Sequence, residues 1–254
     1  MHAWRAQIFS VGFVLALLVS LAACGGQSLA TTPHPTATAT HRPSVTYVAI
    51  GASDAVGVGA TDPNTQGYVP VLISRLPADA SALNLGISGA KISDSLTREL
   101  PQAEAAHPTL VTVWMVGNDF RSCTALDGYL ADLNTLLDGL KPTHAQVFVA
   151  NLPDMSALPA MRPGSQGLGQ CHEQETATQV RQDAQAWNVK IDAAVTGHGF
   201  TVVDLFTSEL VQRSDYISGD GFHPSSLGYA RLADLFWGAI QARHAIATAT
   251  ATVT

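Results

Sequence analysis

Four short runs decide what this chain can fold into: 45–50, 110–116, 146–150 and 200–205. Each is nearly continuous in apolar residues and rich in valine, without the alternation of a sheet that has one wet face. Such runs read as strands covered on both sides, the mark of a parallel sheet. A fifth candidate strand is 82–85. Helical periodicity fills the intervals. Leu126, Leu130, Leu133, Leu137 and Leu140 keep the three-four spacing of one apolar stripe, as do Val180, Ala184, Trp187, Ile191 and Val195. Gly197 reads as the stop of the second helix, and Tyr229, Leu232, Phe236 and Ile240 mark a last one. Strands alternating with amphipathic helices argue for an α/β fold with helices on both faces of the sheet. Ligands of such sheets bind beyond the carboxyl ends of the strands. The segments that leave the strands are therefore where chemistry is expected.

The two ends of the chain read differently from its middle. Arg5 is the only Lys, Arg, Asp or Glu before Arg42, and 8–23 is almost wholly apolar. That run is short for a membrane span, which needs about 20 residues, but it suits a signal-peptide core behind a basic start. It closes in Leu21-Ala22-Ala23-Cys24. This resembles the lipobox of bacterial lipoproteins, which implies cleavage before Cys24 and lipidation of its thiol. Residues 24–43, rich in Thr, Pro, Ser and Gly, bury too little to offset ordering and read as a disordered stalk. The last residues, 246–254, read as a matching tail. The expected folded domain is 44–245, ample for one core. With 13 basic and 20 acidic residues and a net charge of −7, the chain has no basic stripe, and nucleic acid is not an expected partner.

Every strand candidate but 146–150 runs into an unusual segment. After the first comes Gly51-Ala52-Ser53-Asp54; after 82–85 comes Gly86-Ile87-Ser88-Gly89; after 110–116 comes Gly117-Asn118-Asp119. Ser218-Gly219-Asp220-Gly221-Phe222-His223-Pro224 precedes the last helix. The first segment is no phosphate loop, since it lacks Gly-Lys-Ser/Thr and its glycines miss the dinucleotide spacing. Nor is it a Gly-x-Ser-x-Gly elbow, because Ala55 holds the last place. Taken singly, Ser53 is a turn residue, Asn118-Asp119 a helix cap, and Asp220 with His223 a cap and a surface histidine or half a metal site. Two ligands make no zinc site. The remaining histidines lie in the stalk, in loops or near the tail without comparable neighbours, so no metal is expected.

Together the segments resemble the SGNH hydrolases, or GDSL esterase and lipase family, named for a serine, a glycine, an asparagine and a histidine in four blocks. The matching positions are Ser53, Gly89, Asn118 and His223, with Asp220 completing Asp-x-x-His. One departure stands in the first block: the family usually has Gly-Asp-Ser, whereas this chain has Ala52 and carries an aspartate at position 54. The resemblance implies a flavodoxin-like three-layer α/β/α sandwich with a five-stranded parallel sheet in the order 2-1-3-4-5. It also implies a serine esterase that needs no cofactor. The residue types fit that chemistry. A serine hydroxyl needs a base within hydrogen-bond reach, histidine is that base near neutral pH, and Asp220 would fix its tautomer. The backbone N–H groups of Ser53 and Gly89 and the Asn118 amide would form the oxyanion hole.

The expected protein is thus an exported enzyme, lipid-anchored through Cys24 to the outer face of a bacterial membrane and acting as a monomer. Its substrate would be a lipid acyl ester such as a lysophospholipid, an O-acetylated sugar or a thioester. The loop 153–176 is expected to overhang the site. In the implied strand order, the segments bearing Cys123 and Cys171 leave neighbouring strands, and export favours a disulfide between them. The alternatives are a catalytically weak or inactive surface binding protein on the same scaffold, and a flavodoxin-type cofactor binder. Ser53 and His223 speak against the first; the missing Ser/Thr-rich phosphate loop speaks against the second.

Overall fold

The computed structural model describes residues 43–162, 165 and 172–243. Five strands form one wholly parallel sheet: β1 (Thr46–Gly51), β2 (Ser81–Asn84), β3 (Leu110–Trp114), β4 (Gln146–Ala150) and β5 (Thr201–Val203). Their spatial order is β2-β1-β3-β4-β5, as the resemblance implies. The valine-rich runs explain the centre. Tyr47–Ile50, Leu110–Val113 and Val147–Ala150 are buried, and β1 and β3 pair in register from Tyr47 with Leu110 to Gly51 with Trp114.

One edge differs from the reading of four doubly covered strands: in β5, within the run 200–205, only Val203 is buried. The fifth candidate, β2, forms the other edge and is exposed throughout. With a neighbour on one side only, an edge strand keeps apolar character on fewer positions. The run 110–116 also outlasts its strand. The β1–β3 ladder ends at Gly51 and Trp114, beyond which Met115 and Val116 stay buried on the way into a helix.

After β1 come α1 (Ser53–Val56), α2 (Pro63–Gln66) and α3 (Tyr68–Ile73); after β2, α4 (Ile92–Arg98) and α5 (Leu100–Ala105); after β3, α6 (Gly117–Arg121) and α7 (Leu126–Leu140). α8 (Ala177–Gly197) precedes β5, and α9 (Ser226–Ala242) ends the described fold. α3 and α9 pack together, the Tyr68 and Phe236 rings stacking at 5.4 Å, while α4, α5, α7 and α8 form the other helical layer. The stripe of α8 starts from a capping box in which Thr176 and Gln179 exchange hydrogen bonds. Its stop is not where the sequence suggested. Gly197 is still helical, and Gly199, at φ +80°, takes the left-handed conformation. Tyr229, Leu232, Phe236 and Ile240 are all buried along α9.

Among the described residues no helix is long and apolar enough to cross a membrane. The expected leader 1–23, Cys24, the stalk up to residue 42, the tail 246–254 and Cys171 lie outside the described residues.

Candidate active site

Because every strand runs the same way, all the segments singled out in the sequence leave the same edge of the sheet. Ser53 opens α1 directly after β1 and is buried. The turn around it is held by outside donors: Asn84 Nδ2 to the Ala55 carbonyl at 2.7 Å, and the Tyr229 hydroxyl to the Val58 carbonyl at 2.6 Å. Gly59 sets how closely this turn meets the histidine loop. At φ +98°, a Cβ there would lie 2.6 Å from the Pro224 carbonyl oxygen and 3.0 Å from His223 Cβ.

The histidine loop is a closed turn. Ser218 N donates to the His223 carbonyl at 2.8 Å, Gly221 N to the Ser218 carbonyl at 3.0 Å, and Ile217 bridges to Pro224. Inside it, Asp220 Oδ1 accepts from the backbone N–H of Phe222 (2.8 Å) and of His223 (3.0 Å) and from the Ser218 hydroxyl (2.8 Å). Its other oxygen, Oδ2, lies 2.6 Å from His223 Nδ1, and His223 Nε2 lies 2.8 Å from Ser53 Oγ. Burial raises the Asp220 carboxyl, but the His223 contact and the three donors outweigh it and hold the group well below the usual carboxylate range. Asp220 is thus a fixed anion facing the imidazole.

Asp54 is a different carboxylate. Burial raises it to about 6 against the attraction of His223, and Asp220 adds to the rise. It lines a separate cleft.

The glycine and asparagine segments are latched to each other. Asn118 Nδ2 donates to the Ala90 carbonyl at 2.9 Å, which leaves the second amide hydrogen for a ligand. Next to it, buried Asp119 takes the N–H of Ile92, the first residue of α4, at 2.8 Å. Taken singly, Asn118-Asp119 reads as a helix cap; the helix that the Asp119 carboxylate caps is α4 on the neighbouring segment, which fixes Gly89 beside Asn118. Gly89 sits at φ +79° with open space where a side chain would be, so its backbone is accessible. Ser53, Gly89, Asn118, Asp220 and His223 thus all border the sheet edge where the sequence put them. Ser218, Asp119, Gly59 and Tyr229, which position them, were missed. Asp119 and Ser218 stood one and two residues from named site residues; Tyr229 and Gly59 carried no local signal.

Two depressions adjoin the site. A small apolar cleft of about 30 Å³ is lined by Trp114, Met155, Leu158, Leu210, Ile217 and Phe222, and by Asp54, Gly117 and Pro224, the sequence neighbours of Ser53, Asn118 and His223. An open groove of about 230 Å³ lies against Arg121, Ala160, Asp220, Phe222 and His223. Residues of the loop 153–176 line both, and Ala160 N donates to the Gly221 carbonyl at 3.0 Å. The described part of that loop therefore adjoins the site.

No curated protein matches the chain in sequence. Solved structures match its fold. TesA, 21% identical, superposes with a TM-score of 0.61 over 78% of this chain and 98% of its own. The psychrotrophic esterase EstA from Pseudoalteromonas sp., in a form inhibited by monoethylphosphonate, gives 17%, 0.60, 78% and 97%. A catalytic mutant of Axe2, an acetylxylan esterase from Geobacillus stearothermophilus, gives 19%, 0.59, 77% and 94%. At these identities the likeness is one of fold. The family-level finding comes from sequence: the GDSL-like lipase/acylhydrolase family matches residues 49–231, a span holding all four blocks. The chain belongs to the GDSL-like lipase/acylhydrolase family of ester-hydrolysing enzymes.

Proposed function

We propose that the chain hydrolyses carboxylic esters through an acyl-enzyme on Ser53. The observation that carries this is the unbroken line from Asp220 through His223 to Ser53 Oγ, at 2.6 and 2.8 Å. Ser53 Oγ attacks the ester carbonyl while His223 Nε2 takes its proton. The oxyanion is met by the N–H groups of Ser53 and Gly89 and by the free amide hydrogen of Asn118. Collapse expels the alcohol, which leaves with the proton from His223. Water, deprotonated by the same nitrogen, then attacks the acyl carbonyl, and the carboxylic acid is released as Ser53 is restored. Asp220 stays ionised and holds the imidazole in the tautomer that leaves Nε2 free to accept.

The apolar lining of the cleft beside Asp54, which includes Trp114, Leu158 and Phe222, supports an apolar acyl group, as in a lipid acyl ester such as a lysophospholipid, as the substrate class. The fold shared with an acetylxylan esterase keeps an O-acetylated sugar as the second reading. Cys24 supports an exported protein, lipid-anchored to the outer face of the cell membrane. A Cys123–Cys171 bridge is supported by His172, the neighbour of Cys171, whose ring stacks at 4.8 Å on Phe120, while Cys123 N donates to the Phe120 carbonyl.

The test is labelling by a fluorophosphonate, followed by hydrolysis assays on short- and long-chain nitrophenyl esters, lysophospholipid and acetylated xylan. Labelling at Ser53, with loss of labelling and turnover in Ser53→Ala, is the expected result. Full turnover by Ser53→Ala would refute the serine mechanism.

A further inference from the structure

Phe120, two residues beyond Asn118 on α6, faces a cluster that the ester chemistry does not use. His172 is buried, and its Nε2 lies 2.9 Å from the Phe120 carbonyl oxygen. A carbonyl oxygen only accepts, so Nε2 carries the hydrogen. In the neutral imidazole Nδ1 is then a lone pair, and it faces Glu175 Oε2 at 2.8 Å. Asp183, one turn and a half into α8, completes the group: one ligand atom each of His172, Glu175 and Asp183 lies within 4.8 Å of the others. With the imidazole neutral, one nitrogen lone pair and two carboxyl groups converge on the same point. Sequence reading gave the loop histidines no comparable neighbours. His172-x-x-Glu175 stood in the sequence, but Asp183 joins only in the fold.

We propose that His172, Glu175 and Asp183 form a divalent-cation site and that its ion is Zn²⁺. Imidazole combined with carboxylate is a zinc set, whereas Ca²⁺ and Mg²⁺ take oxygen ligands. An N–H donated to a backbone carbonyl by the distal ring nitrogen is how a metal-binding histidine is oriented. Ligands around a tetrahedral Zn²⁺ stand about 3.3–3.5 Å apart, so small side-chain rotations suffice. Asp183 is exposed, and the cleft beside it, lined by Cys123, Thr124, Leu126 and Trp187, is open to solvent. Water can fill the fourth position. The ion ties the segment 172–175 to α8, and through the stacked Phe120 and His172 rings it braces α6, which carries Asn118. It is a clamp behind the site and takes no part in ester cleavage.

The experiment is titration of the full chain, stripped with EDTA and dialysed, with Zn²⁺ alone at neutral pH by isothermal calorimetry. Uptake of one ion per chain is expected, with a melting temperature that rises with Zn²⁺. Asp183→Asn, at an exposed position where folding is not at risk, and Glu175→Gln should each weaken binding at least about tenfold, since even losing an outer hydrogen-bond partner of a ligand costs 10- to 100-fold. Co²⁺ in the same site should show no sulfur-to-metal charge-transfer band. Three results would overturn the site: no uptake, which leaves a proton between His172 and Glu175; unchanged affinity in both variants; or a sulfur band, which moves the ion to a cysteine.

Discussion

At the scale of single residues, two carboxylates compete for the role of triad acid, and the geometry separates them. Asp220 touches His223 Nδ1 at 2.6 Å and accepts three further hydrogen bonds, while Asp54 lines the apolar cleft. Asp220→Asn should keep the fold and the labelling site but lose most of kcat, since an amide there favours the wrong imidazole tautomer. Asp54→Ala should retain most activity. Loss of activity in Asp54→Ala together with retention in Asp220→Asn would mean that the acid has been misassigned. Asn118 is the second residue to separate by kinetics. Its amide has one hydrogen on Ala90 and one free, so Asn118→Ala removes a single oxyanion donor. A fall in kcat of about 100- to 1,000-fold, roughly 3–4 kcal/mol, with KM little changed, is expected. A change in KM alone would show that Asn118 binds ground state and transition state equally. Both residues were legible in the sequence only through the resemblance of the four blocks taken together, since each short pattern alone reads as a cap or a turn.

At the scale of elements, the end of β1 rests on a buried acid that no pattern announced. Glu99, at the junction of α4 and α5, is fully buried, and its Oε1 accepts the N–H of Gly51 at 2.9 Å, two residues before Ser53. Its other oxygen, Oε2, has no partner among the described residues. Burial raises the group from its ordinary 4.5 to about 7, against the pull of the Gly51 N–H and of Arg98. The folded state therefore holds this proton more tightly than the unfolded chain does. Its stabilising contribution is complete below pH 4.5, is lost as pH rises toward 7, and is flat above. The full shift corresponds to about 3 kcal/mol. Glu99→Gln keeps an acceptor for Gly51 but cannot ionise. In urea unfolding at pH 4.5 and 8, the variant should gain on the parent at the higher pH by up to that amount. Identical pH slopes for the two proteins would exclude Glu99 as the titrating group. The other acids titrate in both proteins, so the difference isolates this one.

At the scale of the whole molecule, two expectations concern how the domain is held. Leu21-Ala22-Ala23-Cys24 motivates lipidation. Acyl chains on the amine and thiol would anchor the chain far more firmly than one chain alone. Cys24→Ser should leave the protein unprocessed or release it from the membrane fraction. A substituted protein that is cleaved and still sediments with membranes would end the lipoprotein reading. The second expectation is the Cys123–Cys171 bridge. It would close a loop of about 50 residues and add about 4 kcal/mol on the chain-entropy account. Alkylation of unreduced protein from its native source should find both thiols blocked. Two modified thiols would dispose of the bridge.

The layers were legible in the pattern of apolar runs, and the chemistry in the resemblance of four short blocks to a known family. Runs such as 147–150 are apolar on both faces, as a strand covered on both sides requires. The serine, glycine, asparagine and Asp-x-x-His residues sit in patterns a few positions long. The tertiary structure decided what depends on pairs far apart in the chain. Edge and central strands differ by the number of neighbours, so the exposure of β2 was not written in its own residues. Gly59 meets Pro224, Tyr229 holds Val58, and Glu99 holds Gly51. Asp119 caps a helix that precedes it in the chain, and Asp183 joins His172 across a turn of backbone. Periodicity and motif spacing report what one segment needs; only the folded chain shows which distant segment supplies it.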